Sequence, residues 1–225
     1  MAARLTCVIA MNKLHQGQPL VTSGASLNQA RAALIMIHGR GATAEDILSL
    51  ANEFDAEGFA YLAPQATNHT WYPYRFIEPI ERNEPWLSSA LHVINDLIAR
   101  VFAAGIPAER LVLLGFSQGA CLTLEYAARH PQRYGGIIGL SGGLIGPDNT
   151  PRNHTGALAG TPIFIGCSDV DFHIPLKRVH EAAQVLHLLG GIVTERIYPG
   201  MDHTVNQDEM DFVNGLLQEI AQRTA

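Results

Sequence analysis

Six short apolar runs punctuate the chain, at residues 32–37, 59–63, 111–114, 136–140, 162–165 and 192–198. Each has the length of a strand and is bounded by turn residues, and the near-continuous apolar character of most of them marks central strands buried on both faces. Between them, residues 44–52, 85–104, 118–129, 176–189 and 205–221 read as helices. In the last of these, Val213, Leu216, Leu217 and Ile220 recur at i, i+3, i+4 and i+7, which places them on one helical face. Strands alternating with helices predict an α/β fold, with a mainly parallel sheet and helices on both faces. Residues 5–22 are expected to add an antiparallel hairpin at the sheet edge.

Two segments interrupt the alternation, 64–83 and 141–160, the second rich in glycine, proline and asparagine. Loops of about 20 residues are uncommon in compact domains unless they serve a function. Ligands of open parallel sheets bind beyond the carboxyl ends of the strands, the edge that both loops leave. Both are therefore expected to wall a substrate site. No repeat or linker divides the sequence, so residues 1–225 are expected to form a single domain.

Composition narrows the class of protein. At 225 residues and 47% apolar content, the chain can bury a substantial core without disulfides or metals. Its formal net charge is −6 with scattered basic residues, which argues against nucleic acid as a partner and against a polybasic membrane patch. Cys7, Cys121 and Cys167 are odd in number and lack metal or redox spacing, so a reducing cytoplasm suits them. The first residues are too polar for a signal-peptide core, and the most apolar uncharged run, 111–124, is broken by Gly115, Ser117, Gln118 and Gly119. It falls short of the roughly 18 to 20 apolar residues that span a bilayer. A cytoplasmic protein with no membrane span is expected; its oligomeric state is open, a homodimer being one option.

The chemistry is carried by Gly115-Phe116-Ser117-Gln118-Gly119, set directly between a strand and a helix. In that context G-x-S-x-G forms a nucleophile elbow, because glycines on either side permit a sharp turn that projects the serine oxygen. The helix N-terminus that follows favours developing negative charge. A serine hydroxyl needs a histidine to take its proton and an acid to orient that histidine, and in this fold the order is Ser, acid, His. Of the histidines after Ser117, only His203 lies in a turn between the last strand and the last helix. The acid should follow the strand at 162–165, where Asp169 and Asp171 both stand. Asp169 is the expected acid because it is nearer the strand end. The alternative of a metal cluster in this stretch finds no second group of ligands to support it.

His38-Gly39-Arg40-Gly41 ends the first apolar strand. The backbone amides of Arg40 and Gln118 are the expected oxyanion-hole donors, with His38 as a residue that pins the loops. The Arg40 side chain could either select an acidic substrate or pair with a loop carboxylate. Trp71, Tyr72, Tyr74 and Phe76 crowd the 64–83 segment and are expected to line a substrate pocket, packing of individual rings against the sheet being the alternative.

Together, the His38–Gly41 turn, the elbow, Gly166-Cys167-Ser168-Asp169 and Pro199-Gly200-Met201-Asp202-His203 resemble the phospholipase/carboxylesterase group of α/β hydrolases, which includes the acyl-protein thioesterases. The resemblance spans nearly the whole chain. It implies Ser117 as nucleophile, Asp169 as acid, His203 as base and the Arg40 and Gln118 amides as oxyanion donors. The Trp71–Tyr74 stretch looks like the bacterial carboxylesterase branch. The expected activity is hydrolysis of small carboxylic esters through an acyl-enzyme, with a small-molecule ester as the partner and no cofactor or metal. Two alternatives stand beside it: a lysophospholipase or thioesterase acting on longer acyl chains, and a hydrolase-fold protein that only binds a ligand.

Overall fold

Seven strands form one sheet in the computed structural model, which describes residues 13–223. They are β1 (Leu20–Gly24), β2 (Ala32–Ile37), β3 (Phe59–Pro64), β4 (Leu111–Phe116), β5 (Gly136–Leu140), β6 (Pro162–Ser168) and β7 (Ile192–Tyr198). Their order across the sheet is β1-β3-β2-β4-β5-β6-β7. β1 runs antiparallel to β3, and every other pairing is parallel. The helices are α1 (Ala44–Leu48), α2 (Ile80–Asn83), α3 (Trp86–Ala103), α4 (Gln118–Arg129), α5 (Leu176–Leu188) and α6 (Gln207–Gln222).

Alternating residues of each central strand point to opposite faces, and both faces are buried. Ile35, Ile37, Leu113, Ile137 and Ile165 pack with Leu87 and Ile94 of α3, Leu122 and Leu124 of α4, and Val179 and Leu186 of α5. Leu34, Met36, Val112, Leu114, Ile138 and Phe164 face the other way, onto Ile47 and Leu48 of α1 and Val213, Leu216, Leu217 and Ile220 of α6. The stripe read from the sequence of the last helix is thus the face it buries. Both layers follow from apolar runs that leave no polar strand face for water.

Three expected elements differ by three residues or more. The helix expected over 44–52 ends at Leu48 and tightens into a 3-10 turn, Ser49–Glu53. Strand β6 runs beyond residue 165 because Gly166, Cys167 and Ser168 continue the ladder opposite Arg196, Ile197 and Tyr198 of β7. Of the hairpin expected over 5–22, residues 5–12 lie outside the described residues. Residues 13–19 form turns, and Leu20–Gly24 alone is a strand, paired with β3.

The chain grows from β2 to β3 on one side and from β4 to β5 on the other, so the order reverses between β2 and β4. A crevice at the carboxyl ends of these two strands is where such sheets bind ligands. The loops carrying His38 and Ser117 flank it. Among the described residues, no helix is long and apolar enough to cross a membrane.

Candidate active site

Ser117 sits between β4 and α4 with φ 54° and ψ −115°, a conformation that L residues rarely adopt. The neighbouring glycines make the turn possible. A Cβ on Gly115 would collide with the carbonyl of Gly119, and one on Gly119 would collide with the carbonyl of Ile37 in β2. The elbow therefore brings the start of α4 against the end of β2, which no side chain at either position permits.

The serine Oγ lies 2.8 Å from His203 Nε2, and His203 Nδ1 lies 2.6 Å from Asp171 Oδ2. An ionised carboxylate only accepts, so Nδ1 carries the proton and Nε2 is left to accept from the serine hydroxyl. Phe116 packs 5.0 Å from the His203 ring, and the His173 ring meets it edge-on at 4.8 Å. These neighbours confine the imidazole on two sides.

The structure places Asp171, not Asp169, on His203, which corrects the sequence expectation. Asp169 continues along β7: its amide donates to Tyr198 O at 3.4 Å, and its exposed carboxylate accepts from Gly200 N at 2.8 Å. The chain then doubles back, with Val170 N donating to Ser168 Oγ, and Asp171 turns inward. Its Oδ1 accepts the amides of His173 and Ile174 at 2.8 and 3.0 Å. Burial pushes the Asp171 carboxyl up, but the hydrogen bonds from His203, His173 and Ile174 outweigh it and hold the group below the usual carboxylate range. Nearness to the strand was the wrong criterion, because the rigidity comes from amides of the turn itself.

Gln118 opens α4, so its amide is one of the first-turn N–H groups without an intrahelical acceptor. Arg40 stands on the facing loop, where the Gly39 backbone packs against Phe116 and Ser117. Gln118 and Arg40 both line the cavity that contains Ser117. The Gln118 side chain is spent elsewhere: Oε1 accepts Trp71 N and Nε2 donates to Tyr72 O, each at 2.8 Å. Arg40 likewise donates to Thr70 Oγ1, Pro73 O and Tyr74 O. Both side chains tie the 64–83 loop to the elbow, and the Arg40 guanidinium pairs with no carboxylate among the described residues.

The cavity occupies about 500 Å³. Tyr72, Tyr74 and Phe76 line it together with Phe116 and Ile174, whereas Trp71 does not. Trp71 is fully buried, donates Nε1–H to His38 O at 2.9 Å and accepts from His15 Nε2 at its own carbonyl. It is core packing beneath the loop rather than a pocket wall. His38 is equally buried; its Nδ1 donates to Gly39 O and its Nε2 accepts from Ala66 N, so it pins the loops and stays out of the cavity. Burial lowers its pKa, which keeps the ring neutral in that role.

The 141–160 loop does not line the cavity, contrary to expectation. Buried Arg178 of α5 donates to Leu144 O and Gly146 O, and buried Glu125 of α4 accepts from Ile145 N and pairs with Arg152. These charges fold the loop down onto the helices. It touches the cavity wall from behind, where Gly146 N donates to Phe76 O at 2.7 Å and Gly143 N to Cys121 Sγ at 3.5 Å. A larger groove, about 1010 Å³, lies beside Arg31, Asp55 and Arg110 and holds none of Ser117, His203 or Asp171. Among the described residues, no three His, Cys, Asp or Glu side chains come together as a metal site.

Sequence reasoning missed Phe116, Ile174, His173 and Arg75 as cavity residues. The first stands inside the elbow motif and was legible as a neighbour of the serine. The other three depend on how the turns fold and left no sequence signal.

Residues 18–221 match the sequence profile of the phospholipase/carboxylesterase family. A phospholipase/carboxylesterase of Dyadobacter fermentans is 44% identical, with a TM-score of 0.86 over 89% of this chain and 96% of that one. Acyl-protein thioesterase 1 of Gibberella zeae is 27% identical over 89% of this chain and 94% of its own length. A carboxylesterase of Bacillus cereus, at 17% identity, shares the fold with a TM-score of 0.70 over 91% of this chain and 95% of that one.

Proposed function

Because the chain belongs to the phospholipase/carboxylesterase family of α/β hydrolases, we propose that it hydrolyses small carboxylic esters through an acyl-enzyme formed on Ser117. The observation that carries this reading is the continuous set of hydrogen bonds from Ser117 Oγ through His203 to Asp171. Ser117 Oγ attacks the ester carbonyl while His203 Nε2 takes its proton. Asp171 stabilises the imidazolium through Nδ1–H, and the Arg40 and Gln118 amides receive the oxyanion. Collapse expels the alcohol, which leaves with the proton from His203. Water then attacks the acyl-enzyme by the same route, and the carboxylic acid is released as Ser117 regains its proton.

A short ester fits the cavity better than a long alkyl chain. The lining mixes Tyr72, Phe76, Phe116 and Ile174 with three arginines, where a long chain would need a continuous apolar channel. Hydrolysis of longer acyl esters or thioesters is a second reading. The name of the Gibberella zeae relative favours it, as do the exposed Val170 and Phe172 beside Asp171. Turnover across a series of acyl lengths separates the two.

The test is covalent labelling with a fluorophosphonate probe, followed by assay of Ser117→Ala. Label should map to Ser117, and the folded variant should lose a factor on the order of 10³ or more in ester turnover. A folded Ser117→Ala protein that keeps most of its activity contradicts the proposal.

A further inference from the structure

The cavity beside Ser117 gathers Arg40, Arg75 and Arg82 against one lining carboxylate, Glu78, in a chain of formal net charge −6. That concentration of positive charge runs against the protein as a whole. The three guanidinium groups are used differently. Arg82 donates to Glu78 Oε2 at 2.7 Å and lies over the Tyr74 ring at 4.2 Å, so its charge is already matched. Arg40 gives hydrogen bonds at 3.0, 2.9 and 2.7 Å to Thr70 Oγ1, Pro73 O and Tyr74 O, which fixes the wall but leaves its charge unpaired.

Arg75 is the free member. It is exposed to the cavity, and among the described residues its guanidinium has neither a hydrogen-bond acceptor nor a salt-bridge partner. Its charge acts on His173, which lines the same cavity. Burial lowers the His173 pKa most, His203 adds to this, and Arg75 and Arg40 contribute further while Asp171 opposes them. His173 itself packs against His203, with ring centroids 4.8 Å apart, so the unpaired charge lies in the same cavity as the reacting residues.

We propose that this cavity selects esters that carry a carboxylate, with Arg75 as the residue that receives it. A guanidinium presents a planar fork that matches a carboxylate with two parallel hydrogen bonds. Only one fork is unengaged, which suits a single carboxylate. Arg40 supplies a background of positive charge that steers an anion inward. Tyr72, Phe76, Phe116 and Ile174 then pack the hydrocarbon between the carboxylate and the scissile ester. The substrate class is half-esters of short dicarboxylic acids or acyl esters of short hydroxy acids. This rests on the ester-hydrolase reading of Ser117.

Two matched pairs test it: monoethyl glutarate against ethyl pentanoate, and O-acetylglycolate against propyl acetate. Wild-type protein should prefer the anionic member of at least one pair by about tenfold or more in kcat/KM, mainly through KM. Arg75→Gln, checked for folding by circular dichroism, should remove most of that preference, and added salt should weaken it in the wild type. Turnover of the uncharged esters with no preference for the anions overturns this inference alone. A preference that survives Arg75→Gln undiminished also overturns it. No turnover of any ester and no fluorophosphonate label on Ser117 would remove the hydrolase reading and this inference with it.

Discussion

The turn after β4 and the turn after β6 leave the same edge of the sheet, yet each holds its side chain by different physics. Ser117 is placed by sterics: its backbone is forced to φ 54°, and the glycines at 115 and 119 let α4 press against β2. Asp171 is placed by hydrogen bonds, with two backbone amides on one oxygen and His203 on the other. The first arrangement tolerates no added atom. The second depends on charge, because the carboxylate is what the donors converge on.

Asp171→Asn makes the sharpest break in this comparison. It keeps the size of the side chain but gives His203 Nδ1 a neutral partner whose amide favours the wrong imidazole tautomer. A loss of roughly 10³ to 10⁴ in kcat is expected, by the precedent of carboxylate-to-amide changes in serine hydrolases. Gly119→Ala attacks the other turn, since its Cβ would meet the carbonyl of Ile37. Overpacking against backbone should cost about 3 kcal/mol in urea unfolding, together with lower activity per folded molecule.

A third turn, carrying His203, leads into α6 through a cap of yet another kind. Asn206 and Glu209 exchange hydrogen bonds there, but Glu209 is fully buried, its Oε1 has no partner, and burial raises its pKa from 4.5 to about 7. Between these two values the folded state holds a proton that the unfolded state has released, so stability falls as pH rises from about 4.5 through about 7. Glu209→Gln keeps the capping box and should flatten that fall in denaturant titrations across the range. A slope unchanged from the wild type would contradict it. The smallest effect is expected at Asp169→Asn, whose exposed carboxylate caps only Gly200 N: less than about tenfold in kcat.

The same contrast explains what the sequence could reveal. Strands β2 to β6 and their helices were legible because residues buried on both faces leave continuous apolar runs, whereas β7 is a half-buried edge strand interrupted by Thr194, Glu195 and Arg196. The elbow was legible because steric necessity selects glycine at fixed positions. The choice between Asp169 and Asp171 was not, since both follow the strand and only the reversal at Ser168–Val170 decides which one turns inward. Likewise, nothing in the composition of 141–160 showed that Glu125 and Arg178, distant in sequence, fold it away from the cavity. Trp71 looked like its aromatic neighbours, yet three hydrogen bonds to His38, Gln118 and His15 take it into the core.

The most direct test of the Ser117–His203–Asp171 arrangement observes the hydrogen bond itself. Nuclear magnetic resonance of protein labelled with ¹⁵N-histidine should show a far-downfield proton coupled to Nδ1 of His203, assigned by its loss in His203→Ala. The signal should persist in Asp169→Asn, because that side chain faces Gly200, and should be lost or moved strongly upfield in Asp171→Asn. Its persistence in Asp171→Asn together with its loss in Asp169→Asn would contradict the account.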